Sequence, residues 1–286
     1  MTVADYASQA VILAGVAEAF PDHGVIAEEG SAHLLEQAGP DGVGRIVAVV
    51  GEVMGRSVSI EEVAAWIDHA GKPGPYTWVI DPIDGTKGFL RREQFAVAVG
   101  VLLAGRVHAG VLACPHLEMD LEGVGRVRGV LFSAEAGTGA FVEPIEGGGP
   151  VPVLVSAVSD PAATRVLGSV ESAHGDPALV RTVIAEAGLG GGMVRLDSQV
   201  KYGAVAAGLA EVYLRPRSRP DYRENIWDHA AGVAVVTGAG GRVTDLDGKE
   251  LDFSLGSRLV ANRGVLASNG AVHDLLLEAL GRVSAG

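Results

Sequence analysis

The stretch Trp78-Val79-Ile80-Asp81-Pro82-Ile83-Asp84-Gly85-Thr86-Lys87-Gly88-Phe89 places two carboxylates three residues apart. A β-rich run delivers Asp81 at its end, and Pro82 and Gly85 fold the chain so that Asp84 returns to the same place. Two carboxylates held that close repel each other unless a cation sits between them. Hard oxygen ligands in this arrangement suit Mg²⁺. The Ile83 carbonyl points into the same turn as a further candidate ligand, and the Thr86 hydroxyl stands beside it. On spacing alone, an acidic surface turn is an equally good account.

Other carboxylates recur where elements begin or end. Glu28-Glu29 follows a short apolar run and precedes Gly30. Asp228 lies in Trp227-Asp228-His229 at the start of a helical pattern, and Asp5 falls three residues after Thr2. Each has a plainer reading: a solvated turn, a helix N-terminal charge, a capping partner of Thr2. Brought together they would form the metal cluster a phosphatase needs, neutralising phosphate and lowering the pKa of a bound water. Lys201 and Arg215 are cations in an otherwise acidic chain, suited to a remote phosphate, although either alone reads as surface charge. Arg217, Arg219 and Arg223 form a basic loop before Trp227, for substrate capture or simply solvated.

The elements that must position these residues follow from periodicity and punctuation. Residues 2–20 read as a helix capped by Thr2 and ended by Pro21, and 59–70 as another with Ser59 and Glu62 in a capping-box pattern. Residues 25–27 and 76–81 read as strands, followed by a turn over 82–88. Runs 95–103 and 106–113 form a hairpin across Ala104-Gly105, and 130–142 holds two short strands around Gly137. Residues 143–152, with Gly147, Gly148 and Gly149, make the best boundary. Beyond it strands (166–170, 211–215, 265–267) alternate with helices (177–187, 199–210, 226–237, 271–280). The strand–helix pattern permits an α/β protein with an N-terminal α+β domain over 1–150 and a C-terminal α/β domain over 151–286.

Composition sets outer limits. With 286 residues, 48% hydrophobic and 20% charged, the chain can bury a sizeable core. A net charge of −13 argues against nucleic-acid and anionic-membrane partners. The single cysteine, Cys114, lies in an apolar run and reads as core; no internal disulfide can form. No basic, apolar leader opens the chain and no apolar run reaches the roughly 18 residues of a membrane span, so a cytoplasmic location is expected.

With the motifs in place, the chain resembles the lithium-sensitive, magnesium-dependent phosphatases related to inositol monophosphatase. DPIDGTKGF and WDHAAG carry the likeness, with Glu28-Glu29 upstream, and it extends from Asp5-Tyr6-Ala7 to Gly264-Val265-Leu266-Ala267-Ser268. Within that group it is most similar to 3′(2′),5′-bisphosphate nucleotidases. Lys87-Gly88-Phe89-Leu90-Arg91 replaces the T-N-F usual in inositol monophosphatases. Leu196-Asp197-Ser198-Gln199-Val200-Lys201-Tyr202-Gly203, Val212-Tyr213-Leu214-Arg215 and Val170-Glu171 with His174 match nucleotide-binding stretches.

The resemblance implies a layered αβαβα sugar-phosphatase fold. It implies Mg²⁺ held by Glu28, Asp81, the Ile83 carbonyl, Asp84 and Asp228, and Asp5 with Thr86 orienting and deprotonating the attacking water. Ser198, Lys201 and Arg215 would bind the phosphate and sugar side of a nucleotide, His174 the base, and Thr86 and Asp228 would also face the substrate. The implied reaction is hydrolysis of the 3′-phosphate of adenosine 3′,5′-bisphosphate, with 3′-phosphoadenylyl sulfate as a second substrate. Inositol monophosphatase-like sugar phosphatase activity and non-catalytic nucleotide binding are the alternatives. Family members carry a helix before the segment that opens this chain, so the first turn bearing Asp5 is expected to fray.

Overall fold

The computed structural model describes residues 2–170 and 176–285. Among the described residues there are eight α-helices and twelve strands, the strands forming two sheets. The first sheet runs β1 (Gly24–Ala27), β2 (Tyr76–Asp84), β3 (Ala96–Leu103), β4 (Arg106–Leu121), β5 (Gly125–Glu135), β6 (Gly139–Pro144) and β7 (Val151–Pro152) in sequence order. Only the β1–β2 pair is parallel. The second sheet, in the order β11 (Arg242–Thr244), β12 (Val265–Ser268), β10 (Val212–Arg215), β8 (Val166–Gly168), β9 (Met193–Arg195), is mixed: β10–β8 and β8–β9 are parallel, the other pairs antiparallel.

Helices α1 (Val3–Ala19), α2 (Leu34–Met54, broken at Gly39) and α3 (Ile60–Ile67) pack together outside the first sheet, with α1 against β2. Helices α6 (Val200–Ala206) and α7 (Ala230–Gly238) touch strands of both sheets and so lie between them. Helices α5 (Pro177–Glu186) and α8 (His273–Ala285) cover the far face of the second sheet. Strand alternation makes this layering: in β10, Tyr213 faces the central core with Tyr202 and Phe132, whereas Val212 and Leu214 face α5 and α8. The expected layered α/β fold is present.

Glycines let α7 sit close to the first sheet. A Cβ on Gly110 would stand 2.7 Å from Ala234 Cβ and 2.8 Å from the Ala231 carbonyl, so no side chain fits where β4 meets the helix.

Several local expectations change. The expected turn over 82–88 is instead the end of β2, bulged between Asp81 and Asp84, followed directly by α4 (Thr86–Arg91). Helix α2 and strands β9 and β11 were not anticipated; they are short or Gly- and Pro-interrupted, and their packing decides them. Residues 151–152 pair with β6, so the glycine-rich stretch before them is a connection within the first sheet. Cys114 is fully buried, as expected.

The α8 terminus carries a buried titratable group. Ser268 Oγ lies 2.8 Å from His273 Nδ1, and Thr244 Oγ1 lies 2.9 Å from Nε2. Thr244 spends its own proton on the Asp245 carbonyl, so it accepts from Nε2–H and the neutral imidazole fits. Burial, aided by Arg242, pushes His273 down to about 4. The depressed value means that the unfolded chain binds the extra proton first: this stability is present above about pH 6.5 and lost as pH falls towards 4. Denaturant unfolding at pH 7 and pH 5 should show the wild type losing about 2 kcal/mol more than His273→Gln across that interval. Parallel losses in the two proteins would assign the acid sensitivity elsewhere.

Candidate active site

A cavity of about 450 Å³ opens where the end of β2, the turn before α6 and the start of α7 converge. Glu28, Asp81, Ile83, Asp84, Thr86, Ser198, Lys201, Arg215 and Asp228 all line it. Residues separated by up to two hundred positions (28 to 228) are thus brought to one wall-to-wall space. Asp5 lies outside the lining but reaches it through Thr86. His174 lies outside the described residues.

The acidic side is electrostatically crowded. Asp81 is 2% exposed, and its Oδ1 is buried without a hydrogen-bond partner. Burial, then Asp84, Glu28 and Asp228, hold its carboxyl well above the usual range. Burial and the neighbouring carboxylates push Glu28 up to about 8, although Glu28 is open on the cavity side and hydrogen-bonded to Asp81. Asp84 rises to about 6 through burial and Asp228, against the pull of Lys201, Arg215 and the Gln199 amide. An orphaned buried oxygen amid carboxylates that resist ionisation fits a divalent cation in this space.

Each carboxylate is held by an identifiable device. The register shift between Asp81 and Asp84 carries β2 around Pro82 so that both acids face one side. Gly85 then takes φ +91°, and a Cβ there would meet Ser198 Cβ at 3.0 Å. Ser198 itself has φ +60°, an uncommon conformation for a side-chain-bearing residue. That turn aims the Gln199 N–H at Asp84 Oδ2, 2.6 Å away. On the other side Gln9, fully buried, donates to the carbonyls of Glu29 (2.8 Å) and Ile67 (3.0 Å) and accepts from the Glu29 N–H (3.0 Å). This braces the turn that presents Glu28.

Asp5 does two jobs with its two oxygens. Oδ2 accepts from the Thr2 N–H in the capping box, and Oδ1 accepts from Thr86 Oγ1 at 3.3 Å. Thr86 Oγ1 is also 3.3 Å from the Ile83 carbonyl, so one hydroxyl proton has two acceptors. Asp5 is 1% exposed in a capped helix packed on α2, α3 and β2.

The cationic side differs from the sequence picture. Arg215 bridges Glu224 (2.8 Å) and Asp228 (3.1 Å). Glu224 in turn is 3.4 Å from His229 Nε2, and His229 Nδ1 is 2.7 Å from the Tyr202 hydroxyl. Burial alone would raise Glu224, but Arg215 and His229 hold it below the usual range. Glu224, Asp228 and His229 bring ligand atoms within 4.8 Å of one another, enough to surround a cation. Arg215 already supplies positive charge there, so we read this trio as an ion-pair brace for Asp228. Lys201, 4% exposed, lies 3.4 Å from the Leu196 carbonyl and over the Tyr213 ring; burial lowers it to about 8. Arg217 and Arg223 bond to backbone carbonyls, Asn262 and Pro220 among them. The sequence reading missed Glu224, Gln9 and the side chain of Gln199; a polar residue inside an apolar helical run was the available signal for Gln9.

A model of the inositol monophosphatase family matches residues 1–285. The chain belongs to that family. It is 37% identical over 316 residues to a 3′(2′),5′-bisphosphate nucleotidase of Emericella nidulans, covering 99% of this chain and 88% of that protein. It is 40% identical over 298 residues to a 3′(2′),5′-bisphosphate nucleotidase of Oryza sativa, covering 98% and 83%. An inositol monophosphatase from Anabaena shares the fold with a TM-score of 0.60 and 22% identity, covering 99% of this chain and 97% of the other. A Thermotoga maritima IMPase does so with a TM-score of 0.62 and 22% identity, covering 96% and 80%. This inositol monophosphatase family member therefore has both the family's metal dependence to account for and an acidic cavity able to do so.

The contact of Gly85 with Ser198 yields a direct test. Gly85→Ala must strain a φ of +91° and push against Ser198, moving Asp84 away from the Gln199 amide. The expected result is a destabilisation of about 1–2 kcal/mol with a much larger loss of turnover than stability alone explains. Wild-type turnover in a folded Gly85→Ala protein would show that this close approach does not set the site.

Proposed function

We propose that this chain is a Mg²⁺-dependent phosphomonoesterase that hydrolyses the 3′-phosphate of adenosine 3′,5′-bisphosphate to AMP and phosphate, and also acts on 3′-phosphoadenylyl sulfate. The observation that carries the reading is the cavity itself, whose lining gathers four carboxylates, Glu28, Asp81, Asp84 and Asp228, with Lys201 and Arg215. The 34–40% identity to proteins named 3′(2′),5′-bisphosphate nucleotidases supports the nucleotide over a simple sugar phosphate.

In this reading Glu28, Asp81, the Ile83 carbonyl, Asp84 and Asp228 hold the metal. A bound divalent cation would neutralise phosphate charge and make a metal-bound water a better nucleophile. Asp5 and Thr86 form the proton path: the Thr86 hydroxyl donates to Asp5 and its oxygen is free to accept from the attacking water. Water attacks phosphorus directly and gives up a proton along this path, the ester P–O bond breaks, the 3′-oxygen leaves with the bond electrons and takes up a proton to become the hydroxyl of AMP, and no covalent enzyme intermediate forms. Ser198 and Lys201 contact the second phosphate and sugar. Arg215 contributes positive potential there while tied to Glu224 and Asp228. His174 is assigned to the base by resemblance only. Residues 1–150 and 151–286 would act as metal-binding and nucleotide-binding domains. No helix among the described residues is long and apolar enough to cross a membrane, which accords with a cytoplasmic enzyme.

Phosphate release should require Mg²⁺ and fall with lithium, and Asp84→Asn should remove nearly all turnover. Undiminished activity in excess EDTA would overturn the metal assignment. Across a substrate panel, adenosine 3′,5′-bisphosphate should far exceed inositol 1-phosphate in kcat/KM. Lys201→Ala should cost the bisphosphate roughly thirtyfold, because a charged hydrogen bond contributes about 2 kcal/mol, and cost a monophosphate much less. Equal losses on both would show that Lys201 does not read the second phosphate, and a preference for inositol 1-phosphate would make the protein a sugar phosphatase.

A further inference from the structure

Helix α7 carries Asp228 just before its first turn, yet the helix has no cap of its own. His229 occupies the N-cap position and makes no side-chain capping bond; its imidazole is directed to Tyr202 and Glu224. The first-turn amides of a buried helix need acceptors. Gln199, 2% exposed and distant in sequence, supplies one: the Gly232 N–H donates to Gln199 Oε1 at 3.2 Å. The same side chain donates from Nε2 to the Trp227 carbonyl at 2.9 Å, on the peptide adjoining Asp228. The backbone N–H of this residue donates to Asp84 Oδ2 at 2.6 Å.

One residue thus grips both halves of the acidic cluster. Its main chain holds Asp84, delivered by the first sheet, and its side chain holds both ends of the turn that delivers Asp228. Gln199 cannot shift towards one without pulling on the other, and Gly232 packs directly on the Tyr202 ring, which leaves the turn little room to relax. Gln199 does not line the cavity, so it acts through these carboxylates and not on a ligand.

We infer that Gln199 is a positioning residue that sets the separation of Asp84 and Asp228 and thereby the affinity of the site for its divalent cation. The inference rests on the proposed reading of these carboxylates as metal ligands. Gln199→Met keeps the length of the side chain and the backbone amide but removes both side-chain hydrogen bonds.

The test is calorimetric titration of Mg²⁺ into the full chain, with thermal unfolding measured alongside. Supporting groups behind metal ligands typically change affinity by about 10–100-fold, so Gln199→Met should bind Mg²⁺ at least about tenfold more weakly. Raising Mg²⁺ should then recover most of kcat, with KM for the bisphosphate at saturating metal unchanged. Gln199→Asn keeps the amide but is a methylene short of spanning both partners, and should show a smaller loss in the same direction. A folded Gln199→Met with wild-type Mg²⁺ affinity and only a lowered melting temperature overturns the inference. Should that variant not fold, an unaltered affinity in Gln199→Asn overturns it by the same criterion. Asp84→Asn separates this from the underlying reading: wild-type binding that survives Asp84→Asn removes the metal assignment and the inference with it.

Discussion

Mutual repulsion among Glu28, Asp81, Asp84 and Asp228 is the constraint on which the rest of this structure depends. In this half-enclosed space burial and the neighbouring carboxylates hold the Glu28, Asp81 and Asp84 carboxyls above their usual range. Left to itself such a cluster would spread apart or take up protons. The fold prevents spreading: each acid is attached to a rigid element, and those elements are bonded to one another. The remaining relief is a cation, and the unpartnered Asp81 Oδ1 marks where the need is greatest.

The bracing is polar and buried, an arrangement that is costly unless every group is matched. Gln9 matches three backbone groups around Glu29, and Gln199 matches three around Asp84 and Asp228. The Arg215 bridge between Glu224 and Asp228 does the same with charge. Removing one partner from such a set leaves the others buried and unsatisfied, which is why substitutions here should act on the geometry of the site well beyond their own volume. Close helix–sheet contact at Gly110 and close helix–helix contact at Gly232 keep α7 from drifting.

Much of the chemistry was legible in the chain because it lies in short contiguous motifs. Asp81, Pro82, Ile83 and Asp84 form the bulged end of β2, and Thr2 with Asp5 or Ser59 with Glu62 carry their own helix starts. Local sterics and local hydrogen bonds act over three or four residues, so sequence determines them directly. The alternation of strand and helix patterns likewise permitted an α/β fold, whose layering the family resemblance implied.

Tertiary structure decided everything that required distant residues to meet. It chose which carboxylates converge, and it turned Arg215 from a free-looking cation into the partner of Glu224 and Asp228. It also buried Asp5 despite its place near the start of the chain, and made Gln199 a tie between two motifs. None of this is written in local pattern, because the same side chain is a solvated surface group or a buried brace according to what the fold packs against it. Sequence determined the ligands on offer and the turns that present them; packing determined their separations, and with them which charges are shared and which remain for a bound cation.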